Sequence, residues 1–230
     1  MLRSIALASL RTLCCMATRD PRHSNALVYD HPLVQHKLTG LRAKATNHAD
    51  FRRLLNEVAG LMAYEVCSGL PTREVSIETP VATAKGRVLV TPVTIVPILR
   101  AGLAMTDGLL SLFPEARVGH IGIYRDEATA KPVTYYSKLP DEIALGPVIL
   151  VDPMLATGGS AAHAVDILQQ LGVKTIQLVC LVAAPEGLAV MQRLHPDVMV
   201  HTAAIDERLN EKCYIVPGLG DAGDRIFGTH

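Results

Sequence analysis

Tryptophan is absent from the 230 residues, and phenylalanine occurs only three times. A platform for stacking single-stranded bases needs more aromatic side chains than that, which counts against nucleic-acid binding. Charge of one sign is missing too: 22 Lys and Arg face 22 Asp and Glu. No overall field draws the chain to nucleic acid or an anionic membrane, although a neutral total leaves room for a local patch. No apolar run reaches the ~18 residues of a membrane-spanning helix. Cys14, Cys15, Cys67, Cys180 and Cys213 form no CxxC pair and no Cys/His cluster at zinc spacing. They read as reduced thiols, with Cys67 and Cys180 packed rather than reactive. The nine histidines are dispersed without HExxH, and no GxSxG elbow is present.

What is there is a chain with 49% hydrophobic residues, enough for one large domain. Residues 1–27 stand apart as an N-terminal extension, and 28–230 form the domain. The first 20 residues carry Arg3, Arg11 and Arg19 with no acid before Asp20. That composition suits an organellar targeting segment; a disordered tail, or a start site at Met16, are the other readings. From Asp50, apolar residues at Phe51, Leu54, Leu55, Val58, Leu61 and Met62 predict a helix capped by Asn47 or Asp50. Short apolar strands then alternate with helices. VTIVPIL (93–99), RVGHIGIY (117–124), PVILV (147–151), TIQLVCLVAA (175–184) and VMVHTAA (198–204) are the strands, and VTYY (133–136) is one arm of a flexible hairpin. Uniformly apolar strands between helices predict an α/β fold with a mostly parallel central sheet, flanked by helices on both faces. The glycine-rich tail (206–230) breaks the rhythm and reads as a functional loop over the sheet.

The segment VILVDPMLATGGSA (148–161) runs from an apolar strand through Asp152 to Gly158 and Gly159 at a helix start. Free N–H groups and the positive end of the helix dipole favour an anion there, and Thr157 and Ser160 add hydroxyl donors. A Walker loop needs a Lys after its glycines, and GxGxxG does not fit TGGSAA. Asp152 can accept hydrogen bonds from vicinal hydroxyls while the loop beyond grips a phosphate, a combination suited to a ribose 5-phosphate. A strand-end Asp before a merely tight turn is the plainer reading, and spacing alone leaves both open.

DPMLATGGS (152–160) resembles the ribose-phosphate loop of type I phosphoribosyltransferases, in the form seen in the uracil phosphoribosyltransferases. HPLVQHKL (31–38), VPILRAG (96–102), YRDE (124–127), LVAAPEG (181–187) and YIVPGLGDAGDRIFGT (214–229) are similar to that family's segments, in the same order. The resemblance implies a phosphoribosyltransferase fold with a flexible flap and a C-terminal base-binding segment. It implies transfer of a phosphoribosyl group from phosphoribosyl pyrophosphate to uracil, giving UMP.

The ribosyl donor is then held by Arg100, Arg125, Asp152, Pro153, Met154, Leu155, Ala156, Thr157, Gly158, Gly159, Ser160 and Asp221. Uracil is held by Ile215, Gly220, Asp221 and Ala222. Asp152, Arg100 and Asp221 carry the catalytic roles. Mg²⁺ is the implied cofactor, bridging substrate oxygens rather than sitting in an all-protein cage, since Pro153 stands where many members have a second acid. A homodimer or higher oligomer, and a GTP effector in some members, complete what the resemblance implies; the location is read as cytoplasmic, with organellar targeting by residues 1–20 as the other reading. A surface Arg100, a solvated charge cluster around Arg125 and a structural His163 are the plainer alternatives. A phosphoribosyltransferase for another base, and a non-enzymatic regulator that senses nucleotide or binds RNA, are the rival functions.

Overall fold

The computed structural model describes residues 17–125 and 132–229, except the side chain of Arg125. Strands β1 (Thr18–Arg19) and β2 (Ala26–Val28) form an antiparallel hairpin, and β2 runs parallel to the last long strand of the sheet. The sheet thus begins inside the segment set apart as an extension, and Ala17, His23 and Asn25 are buried there. Helix α1 (Pro32–Arg42) opens with Pro32, whose missing N–H is no loss at a helix start. Helix α2 (His48–Val66) is capped by Asn47, whose side chain accepts the Asp50 N–H at 2.9 Å. Its buried stripe of Phe51, Leu55, Val58, Ala59, Met62, Ala63 and Val66 follows the helical period.

An unforeseen hairpin follows, β3 (Thr72–Glu78) with β4 (Thr83–Leu89), which among the described residues pairs only with itself. Then come β5 (Thr94–Leu99), α3 (Leu103–Leu110), β6 (Arg117–Val118), β7 (His120–Arg125) and β8 (Pro132–Lys138). Residues 117–124 are two strands rather than one, interrupted at Gly119, whose neighbours Leu139 and Pro140 leave no room for a side chain. The expected hairpin arm is β8, antiparallel to β7. The rest is β9 (Val148–Val151), β10 (Met154–Leu155), α4 (Gly159–Gln170), β11 (Ile176–Ala183), α5 (Pro185–Leu194), β12 (Met199–Ile205), β13 (Arg208–Leu209), β14 (Ile215–Val216) and α6 (Ala222–Phe227). The tail therefore holds a short hairpin and a helix that its glycines hid.

The sheet order is β1-β2-β12-β11-β9-β5-β7-β8, parallel from β2 to β7. Successive residues of β9 explain the layering: Val148 and Leu150 join one apolar cluster, Ile149 and Val151 the other, and all four are buried. One cluster is covered by α1, α2, α3 and α6, the other by α4 and α5. From β5 the chain proceeds through α3 to β7 on one side; from β9 it proceeds through α4 to β11 on the other. Connections leaving two neighbouring strands in opposite directions open a crevice at their carboxyl ends, the usual ligand position in such sheets.

Candidate active site

Arg100 follows β5 and Asp152 follows β9, so the topology brings two residues 52 positions apart to one crevice. The approach is close: a Cβ on Gly102 would lie 2.4 Å from Val151 O and 2.8 Å from Ile98 O, so only glycine fits. After Asp152 the chain turns through Pro153, whose carbonyl accepts the N–H groups of Leu181 and Val182 at 2.9 and 3.1 Å. Pro153 and Leu155 are buried, and Leu155 O accepts the Ala184 N–H; these two residues are the scaffold of the loop. Met154, Ala156, Thr157, Gly159 and Ser160 are partly exposed. Gly158 holds a left-handed φ of 79°, and a Cβ there would meet Gly187 O and Val190 Cβ at 2.9 Å. Gly187, at the end of LVAAPEG, supports the loop in turn: its own Cβ would lie 2.5 Å from Ala156 O. No side chain caps α4, so its first N–H groups are left for a ligand.

Beside this loop lies a cleft of about 250 Å³, lined by Asp152, Met154 and Ala156 on one side. Tyr214, Ile215, Gly220, Asp221, Ala222 and Gly223 line the other, with Ala101 and Cys213 completing it. The strand-end acid and the tail segment singled out in the sequence therefore share one wall-to-wall space. Two larger hollows of about 510 and 520 Å³ lie elsewhere, at the foot of the β3–β4 hairpin and between α2 and α3. Neither includes a residue of the crevice. Sequence reading gave no site role to Tyr214, Cys213 and Ala101; each lies within two positions of a named site residue, and nothing in residue type marks them.

Burial drives the Asp152 carboxyl up to about 7, the negative charge of Asp221 adds to the rise, and the Met154 N–H hydrogen bond at 3.3 Å opposes it. Asp221 caps α6, accepting the Asp224 N–H at 2.9 Å. Arg100 stands at the rim rather than in the cleft wall. Its Nη2 lies 3.5 Å from Asp224 Oδ1, and its guanidinium carbon lies 5.8 Å from the Phe227 ring centre. Arg125 ends β7, and its side chain lies outside the described residues. His163, on α4, bonds Thr134 Oγ1 of β8 through Nε2 at 2.8 Å and so ties that strand to α4.

A family model described as uracil phosphoribosyltransferase matches residues 28–229. The uracil phosphoribosyltransferase of Dictyoglomus thermophilum is 61% identical over 204 residues, spanning 88% of this chain and 99% of the relative. That of Clostridium perfringens is 59% identical over 200 residues, 86% of this chain and 96% of the relative. Among solved structures, the AQ2163 protein of Aquifex aeolicus superposes with a TM-score of 0.84 at 36% identity, covering 88% of this chain and 97% of its own. A crevice with a strand-end acid, a helix start without a side-chain cap and a glycine-lined cleft agrees with these likenesses, and the chain belongs to the uracil phosphoribosyltransferase family.

Proposed function

We propose that this protein transfers the 5-phosphoribosyl group of phosphoribosyl pyrophosphate to N1 of uracil, giving UMP and pyrophosphate. The observation that carries it is the meeting of Asp152, Met154 and Ala156, in the loop that leads into α4, with Gly220 and Ala222 across one cleft. The α4 N–H groups, Thr157 and Ser160 hold the 5-phosphate, and Asp152 accepts hydrogen bonds from the ribose hydroxyls. Arg100 exchanges its loose 3.5 Å contact with Asp224 for the diphosphate, to which a guanidinium donates paired, charge-assisted bonds. Arg125 acts on the same group from the flap. C1′–O cleavage and N1 attack pass through a transition state of oxocarbenium character. The protein contributes alignment of both partners and stabilisation of leaving-group charge.

Uracil presents acceptor, donor, acceptor along O2, N3–H and O4. Among the described residues, the N–H groups of Gly220 and Ala222 have no acceptor, which leaves them for the base. Cytosine sets a donor where O4 accepts, and an unpaired buried donor costs about 1–3 kcal/mol, so uracil is preferred by roughly 10- to 100-fold. Ala222→Leu fills the cleft from the base side. It is expected to raise the KM for uracil about 10- to 100-fold with that for the ribosyl donor little changed. Steady-state kinetics with each substrate varied decides; equal effects on both would remove the base pocket from this wall.

Asp152 and Asp221 are also the donor type a magnesium ion takes, and their mutual repulsion is what a cation would relieve. When bound, Mg²⁺ supplies neutralisation of the diphosphate charge. A homodimer belongs to the same reading. Among the described residues the β3–β4 hairpin pairs with nothing else, and Val81 at its tip is 94% exposed. A lone two-stranded ribbon is marginal in water, and a second copy would cover it. GTP as an effector, and the cytoplasm as the compartment, complete the proposal.

The testing experiment is a product assay with Mg²⁺ and phosphoribosyl pyrophosphate, offering uracil, cytosine, orotate and hypoxanthine in parallel, with and without GTP. UMP from uracil alone supports the proposal. Turnover of another base keeps the phosphate loop and discards the pocket, and no product at all removes the enzyme reading.

A further inference from the structure

A loop that reads a base with its backbone has little to hold it in shape. Gly218 and Gly220 both lie at left-handed φ, 61° and 83°, and glycines there leave the chain free to wander when unsupported. The support comes from outside the cleft. Arg42, the last residue of α1, donates from Nη2 to Asp206 Oδ1 at 2.6 Å and from Nη1 to Asp206 Oδ2 at 2.8 Å. The same Nη1 donates to Gly218 O at 2.8 Å, and Asp206 Oδ2 accepts the Gly218 N–H at 2.7 Å. Both polar groups of Gly218 are thus gripped by one ion pair. Its carboxylate side is only 5% exposed, so solvent cannot take over the role.

The second grip runs the other way. Arg225, on α6, donates from Nη1 to Leu219 O at 2.8 Å and to Leu41 O, and from Nη2 to Ala43 O at 2.7 Å. Its guanidinium carbon lies 4.4 Å from the Phe51 ring centre on α2. Leu41 and Ala43 carry carbonyls at the carboxyl end of α1, where a cation is favoured, and Ala43 O also accepts the Thr46 N–H at 3.1 Å. Arg42 therefore reaches from α1 to the loop, and Arg225 from the loop's helix back to α1. Neither arginine nor Asp206 lines the cleft.

We infer that Arg42 and Arg225, with Asp206, form a reciprocal clasp that fixes the backbone of Gly220, Asp221 and Ala222 for base recognition. They are positioning residues that set affinity for uracil separately from affinity for the ribosyl donor. The inference rests on the uracil reading of the cleft. The separation follows from the geometry: the loop from Asp152 to Ser160 hangs from β9 and α4, and among the described residues its hydrogen bonds include none of the three.

The test is steady-state kinetics of full-length wild type, Arg42→Ala, Arg42→Lys and Arg225→Lys, with uracil and phosphoribosyl pyrophosphate varied separately and Tm recorded for each. In Arg42→Ala the KM for uracil should rise at least about 10-fold, from Gly218 O left unpaired and Asp206 left facing a single N–H. The KM for the donor should stay within about twofold. Arg42→Lys should recover part of the loss, because a point charge still meets Asp206 but cannot span it and Gly218 together. A folded Arg42→Ala with an unmoved uracil KM, or with both KM values raised together, overturns the clasp. If none of the variants folds, the arginines hold the fold and not the base, and the inference falls. Wild type that turns over no uracil would instead defeat the proposed function.

Discussion

Asp152→Asn is expected to lower kcat/KM by about 10²–10³-fold, the range found when one preorganised electrostatic contact to a transition state is removed. The fold should survive, because Asp152 makes one side-chain hydrogen bond, to the Met154 N–H at 3.3 Å, and an amide oxygen can accept it equally. The same substitution has a pH signature. The folded carboxyl is pushed up to about 7 from an ordinary 3.8, by burial first and then by Asp221. Between those values the folded chain keeps a proton that the unfolded chain has lost, so stability falls as pH rises from about 4 to about 7 and levels off above. Denaturant titrations across that window should show the decline in wild type and a flatter profile in Asp152→Asn. Activity runs in the opposite sense. The ribose hydroxyls need an ionised acceptor, so wild-type kcat/KM should drop as pH falls below about 7. A variant with unchanged kcat/KM would take the ribose role away from Asp152.

Gly159→Val is expected to weaken binding of phosphoribosyl pyrophosphate by more than about 100-fold, since a branched side chain would stand among the N–H groups that face the phosphate. The fold has room for it. A Cβ at Gly159 meets, within 4 Å, only Thr157 Oγ1, at the ordinary contact distance of 3.7 Å, and its backbone is not left-handed. Gly158 is the contrast: its φ of 79° and the 2.9 Å approach to Gly187 O make Gly158→Ala a folding defect rather than a binding one. Calorimetry and thermal melting separate the two. Normal donor affinity in a folded Gly159→Val would sink the phosphate-loop assignment, whereas a Tm loss confined to Gly158→Ala would support it.

Where a feature was encoded locally, it could be read from the sequence. The layering of the sheet followed from β9 and β11, whose residues are apolar on both faces and so must be covered on both. The phosphate loop was visible because strand, acid, glycines and helix are consecutive. The cap of α2 at Asn47 was one of two residues named. The β3–β4 hairpin was missed since its strands, such as TREVSIE, carry mixed charge and bury nothing. Likewise α6 was missed because three glycines precede or enter it, and what holds it is Arg225 and the Asp221 cap.

The sequence by itself determined the fold class, the family and the two stretches that meet at the cleft. The reason is that periodicity and contiguous motifs are short-range properties of a chain. Only the tertiary structure decided how those stretches are held. It alone paired Arg42 with Asp206, 164 residues away, seated Arg225 on the end of α1, and turned Arg100 toward Asp224. No local pattern specifies which of 22 basic side chains will find which carboxylate. The packing of α1 against β12 and of α6 against α2 does, by bringing Arg42 to a buried Asp206 and Arg225 to the end of α1.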